Sequence, residues 1–505
     1  PTQPESSAAS DVHKRQHKMK EGRPNILLIM TDNQSADFLG CYGNHEVKTP
    51  NIDLLSKEGM KYTSAYCTNA MCSPCRASVL TGLMPTAHGI HNWLDDKLED
   101  LWPEDWNAIG EFESFPQKLK DAGYNNALIG KYHLGKAWKS PKAFDHWVTF
   151  PHGHTKSFYD NKIIDNDEVY NHQGHSVDFF TLKTIEYLNQ IKDHQNPFFC
   201  FVPFNGPYGH WPSIKGKSTN KFASLYEQCE LSTVPREGIN KRVIKRYSSR
   251  LLESGEDLPE QFSGPLLLPN NKDSIRNYFS QASLIDEGVG KILSELKSLN
   301  LFDNTIIIYT SDHGFSLGNH GIWGHGLAAW PSSMHRPSFN IPLIFSGPKI
   351  NKGISKALVS QTDLANTILS MAGVSKLKSK LVNSISLKFT DEDLNSRDMI
   401  FMEQEETRAV RTQKWLYIER FNKEGMSYIE PELYNLIEDP DERKNLFKEE
   451  SCGEIIKTFS KEINDYFNKY GDSKYNLWIG GTAKSNVSNP KFWKKIWGSN
   501  WKTFI

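Results

Sequence analysis

Four short apolar runs, each closed by a knot of polar residues, constrain this chain more than any other feature. They are Asn25 to Met30 (NILLIM) before Thr31-Asp32-Asn33-Gln34, and Asn126 to Gly130 (NALIG) before Lys131-Tyr132-His133-Leu134-Gly135. The third is Phe198 to Phe204, before Asn205-Gly206-Pro207-Tyr208-Gly209-His210, and the fourth is Asn304 to Thr310 (NTIIIYT), before Ser311-Asp312-His313-Gly314. Branched and aromatic residues without polar alternation suit strands buried on both faces. Between them, Ser114 to Ala122 and Ser274 to Leu299 carry apolar residues at helical spacing. Helices alternating with such strands predict an α/β fold with a large, mostly parallel, doubly wound sheet. Ligands bind such sheets at the carboxyl ends of the strands, which is where the polar knots fall.

After the first run comes Cys72 to Gly82, CSPCRASVLTG. It reads as a strand-to-helix turn with Cys72 near the helix N-terminus, where unpaired backbone N–H groups favour anions and nucleophiles. Thr49-Pro50-Asn51-Ile52-Asp53 begins another helix, with Asn51 as its cap. Asp32, Asn33, Asp312 and His313 end two strands far apart in sequence. If those strands are neighbours, the four side chains converge, and their oxygens suit a hard divalent cation. The nitrogen of His313 is more at home on manganese or zinc. Considered singly, Asp32 and Asp312 are read more simply as strand-end caps.

The chain has 505 residues, a formal net charge of -1 and 24% charged residues, a balance that argues against a nucleic-acid or membrane-surface protein. No apolar run reaches transmembrane length, so no membrane insertion is expected. Residues 1–22 form a polar leader without the apolar core of a signal peptide. Seven scattered cysteines do not make a disulfide scaffold, and Cys72 with Cys75 lacks the second pair a zinc site needs. Cys75 reads as a small buried filler.

Cys-x-Pro-x-Arg followed by Thr81-Gly82 closely resembles the modification signature of type I sulfatases of the alkaline phosphatase superfamily. GKYHLG at Gly130 to Gly135 is similar to the family's GKWHLG, and TPNID to its TPN(L/I)D. SDHGFSLGNHGIWGHG at Ser311 to Gly326 is similar to SDHGxxLGxHGxWGK. ELYNLIEDPDERKNLF at Glu432 to Phe447 nearly repeats ELYDLxxDPxExxNL of the family's small C-terminal sheet domain. The likeness runs from Arg23 to about Leu446.

The resemblance implies that Cys72 becomes formylglycine, whose hydrated diol is the nucleophile. A formylglycine-generating or anaerobic sulfatase-maturating enzyme would carry out that conversion. It implies a metal site of Asp32, Asn33, Cys72, Asp312 and His313, with Ca2+ first and Mn2+ or Mg2+ as alternatives. Lys131 would neutralise sulfate, His133 would hydrogen-bond the nucleophilic hydroxyl, and Arg76 would clamp the diol with its fixed fork. Three departures stand out. Asn33 occupies a position that is more often aspartate, Tyr208 replaces a histidine, and His325 replaces the closing lysine. His210 and His325 are therefore the candidates to protonate the leaving alcohol.

The expected organisation is a catalytic domain at 23–375, with a basic insertion at 211–271 over one edge of the sheet. A smaller α+β C-terminal domain with an antiparallel sheet follows at 376–474, then a Trp-rich tail at 475–505. The expected function is hydrolysis of sulfate esters on a sulfated polysaccharide or oligosaccharide, in the periplasm or outside the cell. A phosphodiester or phosphonate monoester hydrolase of the same superfamily is the alternative. A glycan-binding protein on a degenerate sulfatase fold is disfavoured by the retention of Cys72, Arg76, Lys131 and Asp312. The insertion's Lys215, Lys217, Lys221, Arg236, Lys241, Arg242, Lys245, Arg246 and Arg250 are expected to steer a polyanion. Tail Trp478, Trp493, Trp497 and Trp501 read first as packing and second as sugar platforms.

Overall fold

The computed structural model describes residues 22–153, 155, 157–209, 219–254, 269, 271–389 and 397–503. Its strands, in chain order, are β1 (Asn25–Asp32), β2 (Met60–Tyr66), β3 (Asn125–Ile129), β4 (His146–Thr149), β5 (Asn161–Asp165), β6 (Glu168–His172), β7 (Phe198–Pro207) and β8 (Thr305–Ser311). A two-stranded ribbon of β9 (Ser316–Leu317) and β10 (Trp323–Gly324) precedes β11 (Leu343–Ser346) and β12 (Gly353–Ser360). Apart from the ribbon these form one sheet of order β12-β2-β11-β8-β1-β7-β3-β4-β5-β6. From β8 to β4 every neighbouring pair is parallel. β11 is antiparallel to both β8 and β2, so β2, and β12 beside it, again run with the centre. The carboxyl ends of β1, β2, β3, β7, β8 and β12 therefore share one edge.

Alternate residues of β1 supply the two cores, as a period of two requires. Ile26, Leu28 and Met30 pack with Val79, Phe115 and Leu364, which come from helices Cys72–Thr81, Phe115–Asp121 and Asp363–Met371. Leu27 and Ile29 pack on the opposite face with Phe180, Ile285 and Val289, from helices Ser176–Ile191 and Lys272–Ser298. Asn51 does not cap its helix, which spans Pro50–Glu58 after Thr49. Proline fills the first helical position, and the Asn51 amide donates instead to Asp286 Oδ2 at 2.7 Å.

The described part of the insertion lies over the carboxyl edge of the sheet. Tyr226, Leu231 and Val234 pack with Phe38, Phe279, Phe315 and Trp323, which places it above the loops that leave β1 and β8. Three of its basic side chains are also engaged. Lys221 pairs with Asp178 and Glu287, Arg242 with Glu432, and buried Arg246 donates to the Ser488 carbonyl. Lys215 and Lys217 lie outside the described residues.

The second sheet is fully antiparallel: β13 (Ile400–Gln404), β14 (Thr407–Arg411), β15 (Trp415–Arg420) and β16 (Glu432–Asn435). Helix Gly453–Tyr470 covers it with Phe459, Ile463 and Phe467 against Val410, Tyr417 and Leu433. Trp493 and Trp501 are buried around Phe421, with Trp478 and Trp497 packed beside them. The tail is thus core in the main. Among the described residues no helix is long and apolar enough to cross a membrane.

Candidate active site

β2 delivers the chain to the sheet's carboxyl edge, and Met71 in extended conformation starts the fully buried helix Cys72–Thr81. Cys72 is its first residue, beside amide groups that have no partner within the helix. Its Sγ lies 3.4 Å from Asp32 Oδ1 and 3.4 Å from His313 Nε2. Arg76, one turn on and on the same helix face, spans both carboxylates. Its Nη2 donates to Asp32 Oδ2 at 3.0 Å and Asp312 Oδ2 at 2.9 Å, its Nε to Asp312 Oδ2 at 3.1 Å, and its Nη1 to the Lys131 carbonyl. Lys131, just past β3, donates through Nζ to Asp32 Oδ2 at 2.6 Å.

Burial pushes the Asp32 carboxyl up, but Lys131 and then Arg76 hold it well below the usual carboxylate range. Against the same burial, Asp312 and Asp32 keep the Arg76 guanidinium charged, and Asp32 does so for Lys131. The Cys72 thiol is different. Burial, and after it Asp32, pushes it well above its ordinary value.

The donors suit a cation. Asp32, Cys72, Asp312 and His313 each offer a ligand atom within 4.8 Å of the others. His313 Nδ1 faces the Gly314 carbonyl at 2.8 Å and so donates, which leaves the Nε2 lone pair turned toward Cys72. Asn33 sits at φ 63°, its backbone N–H donating to Asp312 Oδ1 and its carbonyl accepting from Tyr278 Oη. Its side-chain Oδ1 is buried with no hydrogen-bond partner, an orphan acceptor that fits an oxygen-liganded metal.

His133, also at positive φ, donates from Nε2 to the Leu94 carbonyl at 3.0 Å, which makes Nδ1 the acceptor nitrogen. Its ring lies over Gly153, where any Cβ would meet Cδ2 at 1.8 Å. Tyr208 packs with Cys72 and Phe158, and its ring centroid is 5.1 Å from Lys131 Nζ. The His325 ring stands 5.9 Å from that of His313, at 86°. His320 stacks on His335 instead, and His210 lies outside the described residues. Cys75 is buried with its thiol on the Asn69 carbonyl.

The sequence reading missed three supports. Gln361, just past β12, donates to the carbonyls of Ser311 (3.2 Å) and Asp312 (2.7 Å). Tyr278 fixes Asn33 as described. Gln404, at the tip of the β13–β14 hairpin, accepts from Ala70 N at 2.9 Å and donates to Asn69 Oδ1, bracing the segment that leads to Cys72. The only local signal was polar residues at element ends.

The family described as Sulfatase matches residues 24–374, and the one described as N-sulphoglucosamine sulphohydrolase, C-terminal, matches residues 330–469. An N-acetylglucosamine-6-O-sulfatase of Bacteroides thetaiotaomicron is 27% identical, over 92% of this chain and 90% of that one. The crystal structure of the putative sulfatase yidJ from Bacteroides fragilis superposes with a TM-score of 0.71 at 25% identity, covering 90% of this chain and 98% of that one. The structure of BT4656 in complex with its substrate D-glucosamine-2-N,6-O-disulfate superposes at 0.68 with 24% identity, covering 89% and 98%, a likeness of fold. Sulfatases generally use a metal ion and formylglycine. With the family match covering most of its length, this chain belongs to the sulfatase family.

Proposed function

We propose that the chain removes sulfate from sulfated carbohydrates, with Cys72, once converted to formylglycine, as its nucleophile. One observation carries the proposal: Cys72 opens a fully buried helix 3.4 Å from Asp32 Oδ1, with Arg76 and Lys131 both bonded to the same carboxylate. The near-full-length likeness to an N-acetylglucosamine-6-O-sulfatase supports a sulfated sugar as substrate.

In the proposed cycle one hydroxyl of the hydrated aldehyde at position 72 gives its proton to the Asp32 carboxylate, whose Oδ1 lies 3.4 Å from the side-chain atom at that position, and its oxygen bonds to sulfur as the bond from sulfur to the sugar oxygen breaks. Lys131 and Arg76 present N–H donors to the sulfuryl oxygens, where negative charge gathers. The sugar oxygen takes a proton from His325, with His210 as the second candidate. The other hydroxyl at position 72 gives its proton to His133 Nδ1, the carbonyl re-forms, and sulfate departs with the electrons of its bond to carbon. Water then rehydrates the aldehyde. Asp32, Asn33, Asp312 and His313 would hold a divalent cation, calcium first and manganese or magnesium as alternatives, which supplies Lewis-acid stabilisation of oxygen charge. A formylglycine-generating or anaerobic sulfatase-maturating enzyme as the maturing partner, and export to the periplasm or beyond, complete the proposal.

The test is sulfate release from N-acetylglucosamine 6-sulfate and sulfated oligosaccharides, run beside an aryl phosphodiester, by protein whose peptide across Cys72 is shown by mass to be modified. Sulfate release that vanishes in Cys72→Ala is expected. Faster cleavage of the phosphodiester, or full activity in Cys72→Ala, overturns the reading.

A further inference from the structure

Three segments that are remote in sequence meet beside the active-site loop. Helix Lys241–Ser254 of the insertion docks on the residues on either side of His325, with Val243 and Tyr247 packed on Ile322, Ala328 and Ala329. Its Arg242 locks the contact. The guanidinium donates at 2.7 Å to the carbonyls of Pro331 and Ser332, and the Arg242 carbonyl accepts from Trp330 N at 3.0 Å. Trp330 is five residues from His325, so at most about 18 Å of extended chain separates them.

On the solvent side of this junction is a cavity of about 260 Å³ whose lining includes Trp330, Phe492, Tyr428, Lys245, Lys423 and Lys495. The volume falls just under the roughly 300–1,000 Å³ typical of drug-sized ligands, the space of about one sugar ring. Lys245 comes from the insertion, Phe492 and Lys495 from tail helix Pro490–Trp497, and Lys423 and Tyr428 from the loop between β15 and β16. Trp330 and Phe492 meet edge to face, 5.3 Å between centroids, and form an apolar floor. Tyr428 stands 67% exposed beside them, a flat face turned to solvent. Lys423 is held in place, its Nζ 4.1 Å from the Trp497 ring centroid and 3.4 Å from the Ile496 carbonyl. Against three lysines the lining sets one carboxylate, Glu424.

We infer that this cavity is a second carbohydrate subsite, which takes a sulfated sugar ring of the same glycan whose sulfate is cleaved at Cys72. Apolar faces suit the flat side of a pyranose, and lysine ammonium groups are compact point charges for sulfate. A neutral sugar would not use the three lysines, and a bare anion would not use the aromatic floor. The inference rests on the proposed sulfated-carbohydrate substrate. It also gives the insertion and the tail a common purpose, since both build one pocket.

The experiment uses the full chain carrying Cys72→Ala, so that binding is read without turnover. A sulfated heparin tetrasaccharide and its fully desulfated form are titrated calorimetrically at low and high salt. Adding Lys245→Gln with Lys495→Gln is expected to weaken the sulfated tetrasaccharide about tenfold, the sum of two exposed ion pairs. Tyr428→Ala is expected to weaken it at both salt concentrations. Lys376→Gln with Lys380→Gln, on an exposed surface elsewhere, is expected to change nothing. In the protein with Cys72 intact, Lys245→Gln with Lys495→Gln should leave hydrolysis of 4-nitrophenyl sulfate unaltered. Absence of tetrasaccharide binding, equal binding of the desulfated form, no effect of the double variant, or an equal loss in the control pair each overturns the subsite. Failure of the wild type to release sulfate from any sugar would instead overturn the proposed function, and the two outcomes are read separately.

Discussion

Lys131 Nζ lies 2.6 Å from Asp32 Oδ2 with neither side chain exposed to solvent, and Arg76 bonds the same carboxylate oxygen. Removing one partner of such a buried pair leaves an uncompensated charge, at a cost of about 3–5 kcal/mol. Lys131→Met should lose that much stability in chemical denaturation and lose sulfate release as well. Lys131→Met with Asp32→Asn should recover much of the stability and none of the activity. Because the Asp32 carboxyl is held below its ordinary value of 3.8, its stabilising contribution is fully present above that pH. It is lost as the pH falls further.

Asn33 offers a cleaner probe of the metal site than either aspartate. Its Oδ1 makes no hydrogen bond, so Asn33→Gly removes the proposed ligand, and glycine tolerates the positive φ. The metal-free protein should melt within about 1 kcal/mol of wild type. In the presence of cation the variant should gain less in Tm, since a weaker ligand for the native state stabilises it less. Equal cation-induced shifts in the two proteins would remove Asn33 from the site.

His325→Gln separates proton donation from binding. General acid catalysis contributes about 10²–10⁴-fold where the leaving group is a sugar alcohol. An aryl sulfate, whose leaving group needs no proton, should be hydrolysed nearly as before. Equal loss on both substrates would assign His325 to sulfate contact.

Glu405 titrates in an unexpected range. At the tip of the β13–β14 hairpin it accepts from Asn92 Nδ2 and from Ser488, and burial, then Glu406, pushes its carboxyl up to about 7. The folded protein keeps this proton from the ordinary 4.5 up to about 7, where the unfolded chain has released it. Stability therefore falls as the pH rises through that window, by at most about 3 kcal/mol from this group. Denaturation at pH 5 and pH 8 should show a smaller difference in Glu405→Gln than in wild type.

Much of the site was legible because its chemistry is local. Strands such as NILLIM and NTIIIYT announce double-sided burial, and the residues that end them are the ones found at the sheet edge. Arg76 follows Cys72 by four residues, so a helix places both on one face whatever surrounds them. Other contributions were illegible. Gln361 and Gln404 act from the ends of β12 and β13, and nothing in SQTD or EQEE shows where those ends will lie. Asn51 looked like a cap because capping is read from three or four neighbouring residues, whereas its partner Asp286 is 235 positions away.

Four central strands of the large sheet, several helices, the polar knots, the turn that begins with Cys72 and the groups able to do chemistry are readable from the sequence alone. These follow from backbone periodicity and turn preferences, which act over a few residues. Only the tertiary structure decided that β1 would lie between β7 and β8, which brings Asp32 to Asp312, and that β3 would carry Lys131 to the same carboxylate. It alone placed the insertion over the loops after β1 and β8, and joined it to the tail around Trp330. The physical reason is that apolar burial drives the layers together without specifying direction, so strand order and loop docking emerge from the packing of the whole chain.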